Sequence, residues 1–353
     1  MTTYYVGMDV HQASIVICVM NAVGKVVMES IIETKAQTVR DFISGLKGEV
    51  HVTFEEGTQA AWLYDLIRPS VTEVVVCNPR HNKLLEVGNK GDRGDARKLA
   101  QLLRGGMLKA VYHGESGTRA LKEMVRTYEC LVADTTRVMN RIKAIFRGRG
   151  IACSGHDVYR QDRREPWLEK LDERGVRARA ESLYQQLAAL KELRHAARAR
   201  MLTESRQHKA SKLLMGVPRL GQVRVAQIIA TVDTPHRFRT KRQFWAYLGL
   251  AVVMRTSAEY WVEGLAVQKR KRAPATRGLN TNHNHRLKGV FKAAATSACA
   301  NEPFKQQYDD LVAQGIEPGL ARLTVTRKLA AITLAIWKRG EVFDAERVMK
   351  QAA

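Results

Sequence analysis

The chain has 353 residues, 45% of them hydrophobic, which suffices for a large core and excludes disorder as the main state. Lys and Arg outnumber Asp and Glu by 58 to 35, a formal net charge of +23 that favours a polyanionic partner, nucleic acid ahead of an anionic membrane. Five scattered cysteines without a Cys-x-x-Cys pair exclude a disulfide framework and a zinc knuckle, and the lack of an 18-residue apolar run or a signal-peptide pattern predicts a soluble, intracellular protein with no membrane partner.

The first third alternates short elements. Segments 4–8, 14–20 and 25–32 are rich in Val, Ile and Tyr and predict three meandering strands, with Asn21 and Gly24 forming a hairpin turn. A helix over 36–46, a strand over 50–54, a helix over 60–67, a strand over 73–77 and a helix over 92–103 follow. Three strands, then helix, strand, helix, strand, helix is the order of an α/β RNase H-like fold, in which the two later strands add in parallel beside an antiparallel meander.

From Leu121 the apolar residues recur at spacings of three and four: Leu121, Met124, Tyr128, Leu131, Thr135, Val138, Ile142 and Ile145 form a coiled-coil seam. Gly148 and Gly150 end it, and a second seam runs through Ala180, Leu183, Leu187, Leu190, Ala197 and Met201, interrupted by Arg194. Two such helices could pair within one chain as a hairpin or between chains. Gly216-Val217-Pro218-Arg219-Leu220-Gly221 before an apolar stretch has the form of a helix-hairpin-helix turn, whose free helix amides suit a phosphate. Residues 264–301 carry eight Lys or Arg and no acid, and a last amphipathic helix spans about 320–337.

The charge is unevenly spread. Residues 1–110 hold 13 basic and 12 acidic side chains, net +1, which leaves +22 for the remainder. A nearly neutral segment suits carboxylates that hold divalent cations. Asp9 lies at the end of the first strand, Glu55 or Glu56 at the equivalent end of the fourth, and parallel pairing sets those ends side by side. Asp92 and Asp95 open the next helix, three residues apart and so on one face. Singly, Asp92 and Asp95 read as helix-capping acids; together with Asp9 and Glu55 they form a site for two Mg²⁺ ions, which take oxygen ligands and can clamp both oxygens of a phosphoryl displacement.

Several of these motifs resemble one family, the DEDD transposases of insertion sequences of the IS-one-ten type, relatives of the Piv DNA invertases. Gly7-x-Asp9-Val10-His11 is similar to the family's first-strand motif, Phe54-Glu55 to its second acidic motif, and Asp92-x-x-Asp95-Ala96-Arg97 to the third and fourth acids. Gly216-Val217-Pro218-x-x-Gly221 and Phe244-Trp245-Ala246-Tyr247-Leu248-Gly249-Leu250 resemble the start of its C-terminal transposase domain. The resemblance implies a RuvC-like catalytic domain over 1–115, an α-helical coiled-coil middle over 116–212, and a mainly α C-terminal domain over 213–353 that carries a serine nucleophile. Arg255-Thr256-Ser257-Ala258 occupies the serine's place, with Ala258 where the family usually has glycine.

What the resemblance implies is a serine recombinase guided by a bridge RNA, a non-coding RNA that selects donor and target DNA. Metal held by Asp9, Glu55, Asp92 and Asp95 would serve cleavage by Ser257, with a covalent 5′-phosphoserine intermediate followed by strand exchange. It further implies a homo-oligomer, a dimer that becomes a tetramer in the synaptic complex, in the bacterial cytoplasm and associated with the nucleoid. Phosphate contacts are expected from Lys269, Arg270, Lys271, Arg272, Arg277, Arg286 and Lys288. Residues 270–280 do not align with the family pattern. Trp245, Tyr247, Tyr260 and Trp261 are either core or stacking platforms for unpaired bases, and His283-Asn284-His285 reads as a hydrogen-bonding loop rather than an HNH nuclease motif, which spreads its letters over a whole ββα unit. Two rivals stand beside this reading: a hydrolytic RNase H-like nuclease or junction resolvase that uses the same carboxylates with water as nucleophile, and a non-catalytic nucleic-acid-binding protein that relies on the +22 region.

Overall fold

The computed structural model describes residues 2–79, 91–114, 117–255, 260–263, 266–269 and 275–346. The chain divides into two compact units, residues 1–115 and 116–353. The first runs β1 (Thr3–Val10), β2 (Ser14–Asn21), β3 (Val26–Glu33), α1 (Ala36–Ser44), β4 (Glu49–Glu55), α2 (Ala60–Ile67), β5 (Glu73–Cys77) and α3 (Asp92–Arg104). Its five-stranded sheet has the order β3-β2-β1-β4-β5. The first three strands pair antiparallel, and β4 and β5 add in parallel beside β1, a mixed sheet compatible with the RNase H-like order expected from the sequence. The β2–β3 hairpin turns where Asn21 and Gly24 predict it: Gly24 takes φ +87°, its N–H donates to the Asn21 carbonyl, and the Asn21 side chain accepts from the Lys25 N–H.

Strand alternation gives the sheet two buried faces. Val6, Met8, Ile15, Ile17, Val52 and Phe54 turn towards α1 and α2, where Val39, Ile43, Leu63 and Ile67 complete the core. On the opposite face Val16, Cys18 and Met20 pack against Ala96 and Ala100 of α3. That second contact is close because neither side projects bulk. A Cβ on Gly7 would lie 2.1 Å from the Ala96 carbonyl oxygen and 2.5 Å from the Ala100 nitrogen, both backbone atoms with no room to yield. An ion pair from Arg97 to Glu29 of β3, 2.7 Å long, fixes the helix laterally.

The second unit begins with α4 (Arg119–Arg147), α5 (Arg164–Leu168) and α6 (Arg174–Gln207). The two predicted seams pack on each other within the chain as an antiparallel helical hairpin. Val138, Ile142, Ile145 and Phe146 from the end of α4 share a core with Ala180, Tyr184 and Leu187 from the start of α6. At the other end Leu121 and Val125 join Met201 and Leu202 in the core of the C-terminal helices. Between Leu187 and Met201 no residue of α6 is fully buried, which is the interruption that Arg194 marks in the sequence. A helix of 34 residues is about 50 Å long.

Helices α7 (Lys209–Met215) and α8 (Gln222–Val232) flank the predicted helix-hairpin-helix turn, in which Val217 and Leu220 are buried and Arg219 takes φ +66°. They are followed by α9 (Lys241–Tyr247), β6 (Val252–Arg255), β7 (Tyr260–Glu263), β8 (Ala266–Lys269), β9 (Ala275–Leu279), α10 (His285–Ala298), α11 (Phe304–Ala313) and α12 (Pro318–Arg339). The unit is mainly helical as expected, but β6 pairs with β9 and β7 with β8 in two antiparallel ribbons that the sequence reading did not anticipate. These strands are four or five residues long and interspersed with basic residues, so they carry too little apolar alternation to register as strands. Among the described residues no helix is long and apolar enough to cross a membrane.

The Gly7 contact yields a prediction. Gly7→Ala must push α3 off the sheet, and we expect a loss of about 1–3 kcal/mol in chemical denaturation of the full chain. Unchanged stability would mean that the helix is not held where the structure places it.

Candidate active site

The site starts from strand register. Met8 pairs with Phe54 across the parallel β1–β4 ladder, so Asp9 and Glu55 occupy the next rung. Parallel neighbours are about 4.8 Å apart. Both side chains belong to the α3 face: Tyr5 and His51, on the same side of the same two strands, stack with ring centroids 5.3 Å apart, while Met8 and Phe54 fill the opposite core. Helix α3 begins over this point, with Asp92 and Asp95 in its first turn, where carboxylates are favoured by the helix dipole. Its close seat over Gly7 brings those acids to Asp9.

His11, one residue beyond β1, enters the same cluster. Its Nε2 lies 3.2 Å from Asp9 Oδ2 and 3.5 Å from Asp92 Oδ2. Ligand atoms of Asp9, His11 and Asp92 all fall within 4.8 Å of one another. Burial raises the Asp9 carboxyl above its ordinary value; the His11 ring opposes that rise, and the charges of Asp92 and Asp95 add to it. Asp95 Oδ1 is shielded from solvent and makes no hydrogen bond; its ion-pair partner is Lys98 Nζ at 3.6 Å. Mutually repelling carboxylates with one unsatisfied buried oxygen fit a divalent cation: the donor set is mostly hard oxygen, and a positive charge would relieve both the repulsion and the orphaned lone pairs.

Comparison with known families follows the same two parts. A family model for transposases, the DEDD type of IS110, matches residues 6–149, and a second, described as the transposase IS116/IS110/IS902 family, matches residues 211–309. The chain carries IS110-family transposase domains. No curated protein matches it. A transposase acts on DNA by cleaving and rejoining it, and DEDD transposases use divalent metal, in keeping with the Asp9–His11–Asp92 cluster.

The remaining residues singled out in this transposase sort differently. Glu56 turns away from the cluster and bonds His113 Nε2 at 2.7 Å, with the His113 ring stacked on Tyr64, so Glu55 is the acid on the site's face. Ser257, Arg270, Lys271 and Arg272 lie outside the described residues; Lys269 and Arg277 fall on β8 and β9. Arg286, at the start of α10, pairs with Glu129 of α4 at 2.9 Å, and burial lowers the Lys288 ammonium below its ordinary value. Trp245 and Tyr247 pack against the large C-terminal core, where the Trp245 indole donates to the Arg327 carbonyl. In the His283-Asn284-His285 stretch, Asn284 caps α10 by accepting from the Leu287 N–H, and the His283 ring lies against Gly249, where a Cβ would approach it to 2.3 Å. Sequence reasoning missed His11 as a functional side chain, although it stands inside the first-strand motif two positions after Asp9.

The raised Asp9 value has a consequence for stability. The folded chain holds that proton more tightly than the unfolded chain, so stability falls as pH rises from the ordinary value of 3.8 through the raised one. With a chelator present, Asp9→Asn should therefore be more stable than the parent at neutral pH, with the advantage shrinking as pH falls towards 3.8. Denaturant titrations across pH check this, and an advantage that grows on acidification would contradict it.

Proposed function

We propose that this transposase is a metal-dependent, RNA-guided DNA recombinase that cleaves DNA through a covalent link to Ser257. The observation that carries the reading is the meeting of Asp9, His11 and Asp92, with Asp95 beside them, at the ends of parallel strands in a domain matched by a DEDD transposase model. Asp9, Glu55, Asp92 and Asp95 are the residues that would hold two Mg²⁺ ions. When bound, such ions polarise the scissile phosphate and offset charge on the departing 3′ oxygen.

The other steps belong to the chain itself. The Ser257 hydroxyl attacks phosphorus, the bond from phosphorus to the 3′ oxygen breaks, the serine proton passes to the departing 3′ oxygen to give a 3′ hydroxyl, and the 5′ phosphate stays on the serine. One phosphoester replaces another, so a 3′ hydroxyl from a second strand can attack the phosphoserine and complete strand exchange between donor and target DNA without a nucleotide cofactor. The +22 of residues 111–353, with the acid-free run from 264 to 301, supports a body that holds nucleic acid strands together, and the family resemblance supports a guide RNA among them. For assembly as a dimer and then a tetramer, the support is the long α4–α6 hairpin. The middle of α6 has no fully buried residue and leaves Leu193 56% exposed, available to a second protomer.

Trapping on suicide DNA substrates tests the chemistry. The parent should form a protein–DNA adduct at a 5′ end; Ser257→Ala should form none while still binding DNA; Asp9→Asn, Glu55→Gln or EDTA should lower cleavage by about a hundredfold or more. Glu56→Gln should retain most of the activity, because Glu56 serves His113. Free 5′ phosphates without an adduct would replace the recombinase with a hydrolytic nuclease or resolvase. Full function after all four acids are neutralised would leave only a nucleic-acid-binding protein.

A further inference from the structure

We infer that His11 is itself a metal ligand, and that its nitrogen biases one cation position of the site towards Mn²⁺ over Mg²⁺. The inference rests on the reading of the acid cluster as a divalent-cation site and deepens it, since the four acids alone make an all-oxygen donor set.

The backbone presents the ring rather than leaving it to solvent. The His11 N–H donates to the Ser14 carbonyl at 2.9 Å, and the His11 carbonyl accepts from Thr34 Oγ1 at 3.0 Å. The residue is thereby held on both sides where β1 turns into β2. A single ring nitrogen, Nε2, faces two carboxylate oxygens of different elements, Asp9 Oδ2 at 3.2 Å and Asp92 Oδ2 at 3.5 Å. One N–H has one proton and can serve one acceptor well; the second separation is too long for an ordinary hydrogen bond. A cation among the three atoms serves all of them. With metal–ligand distances of about 2.0–2.2 Å, neighbouring ligand atoms stand roughly 3.0 Å apart around an octahedral ion and roughly 3.5 Å apart around a tetrahedral one. The two separations from Nε2 fall within that interval, and the three atoms all lie within 4.8 Å of one another, so a cation among them would draw the two carboxylates together beside the ring.

The choice of ion follows from the donor. Mg²⁺ takes oxygen ligands and gains little from an imidazole, whereas Mn²⁺ accepts carboxylate and nitrogen together. Replacing one oxygen donor by His11 thus favours Mn²⁺ without excluding Mg²⁺ from the rest of the site.

The test uses untagged full-length protein and Mn²⁺ as the probe, read by electron paramagnetic resonance. Parent protein should bind Mn²⁺ and show the pulsed-resonance modulation of a directly bound ¹⁴N. His11→Ala, a change at a half-exposed side chain, should abolish that modulation and weaken Mn²⁺ binding about tenfold, or ~1.4 kcal/mol, while Mg²⁺ competition changes less. His51→Gln removes a second imidazole on the same sheet face and should leave the modulation intact. Bound Mn²⁺ without nitrogen modulation, or modulation that survives His11→Ala, overturns the His11 assignment and leaves the carboxylate site standing. Absence of Mn²⁺ binding, or binding indifferent to Asp9→Asn, overturns both this inference and the metal reading beneath it.

Discussion

The contact between α3 and β1 at Gly7 is the constraint on which the rest of the candidate site depends. The carboxylates of Asp9, Asp92 and Asp95 repel one another, and no local preference of the chain would bring them together. What does so is packing: Ala96 and Ala100 seat the helix against a strand position that has no side chain, and the Arg97–Glu29 pair ties it across the sheet. The free energy of burying that helix face offsets the penalty at its first turn, seen in the Asp9 carboxyl, which is raised first by burial and further by the charges of Asp92 and Asp95. A cation bound there would convert that repulsion into attraction.

This explains why the motif around Asp92 extends beyond its acids. Ala96 is the small residue that permits the approach and Arg97 supplies the lateral tie. The same division of labour holds in the first-strand motif, where Gly7 makes room, Asp9 carries charge and His11 closes the cluster. The nearly neutral first part of the chain carries the candidate cluster, while the basic excess lies in the part with the helical hairpin and the acid-free stretch.

Much of this was legible in the residues. The strand order, the Asn21–Gly24 turn and the seams of α4 and α6 follow from periodicity and turn chemistry, which are local properties. Glu55 could be preferred to Glu56 from the resemblance, but the reason, that Glu56 is taken up by His113 57 positions away, needs the fold. The ribbons β6–β9 and β7–β8 were not legible, since strands of four or five residues gain their stability from pairing partners and not from their own pattern. Trp245 and Tyr247 suited either core or base stacking by composition; the fold packs both, partly buried, against the C-terminal core.

By itself the sequence determined the order of the elements in the first part of the chain, the carboxylates that stand at their ends, and the split of charge between the two parts of the chain. Tertiary structure decided which of those side chains meet. It brought His11 to Asp9 and Asp92, turned Glu56 aside and paired Arg286 with Glu129, and it closed the two helical seams on each other within one chain. The reason is one of range. Periodicity and turn preference act over a few residues, whereas a cluster drawn from strand ends and a helix more than 80 positions apart is set by strand register and by how closely a helix can approach a glycine.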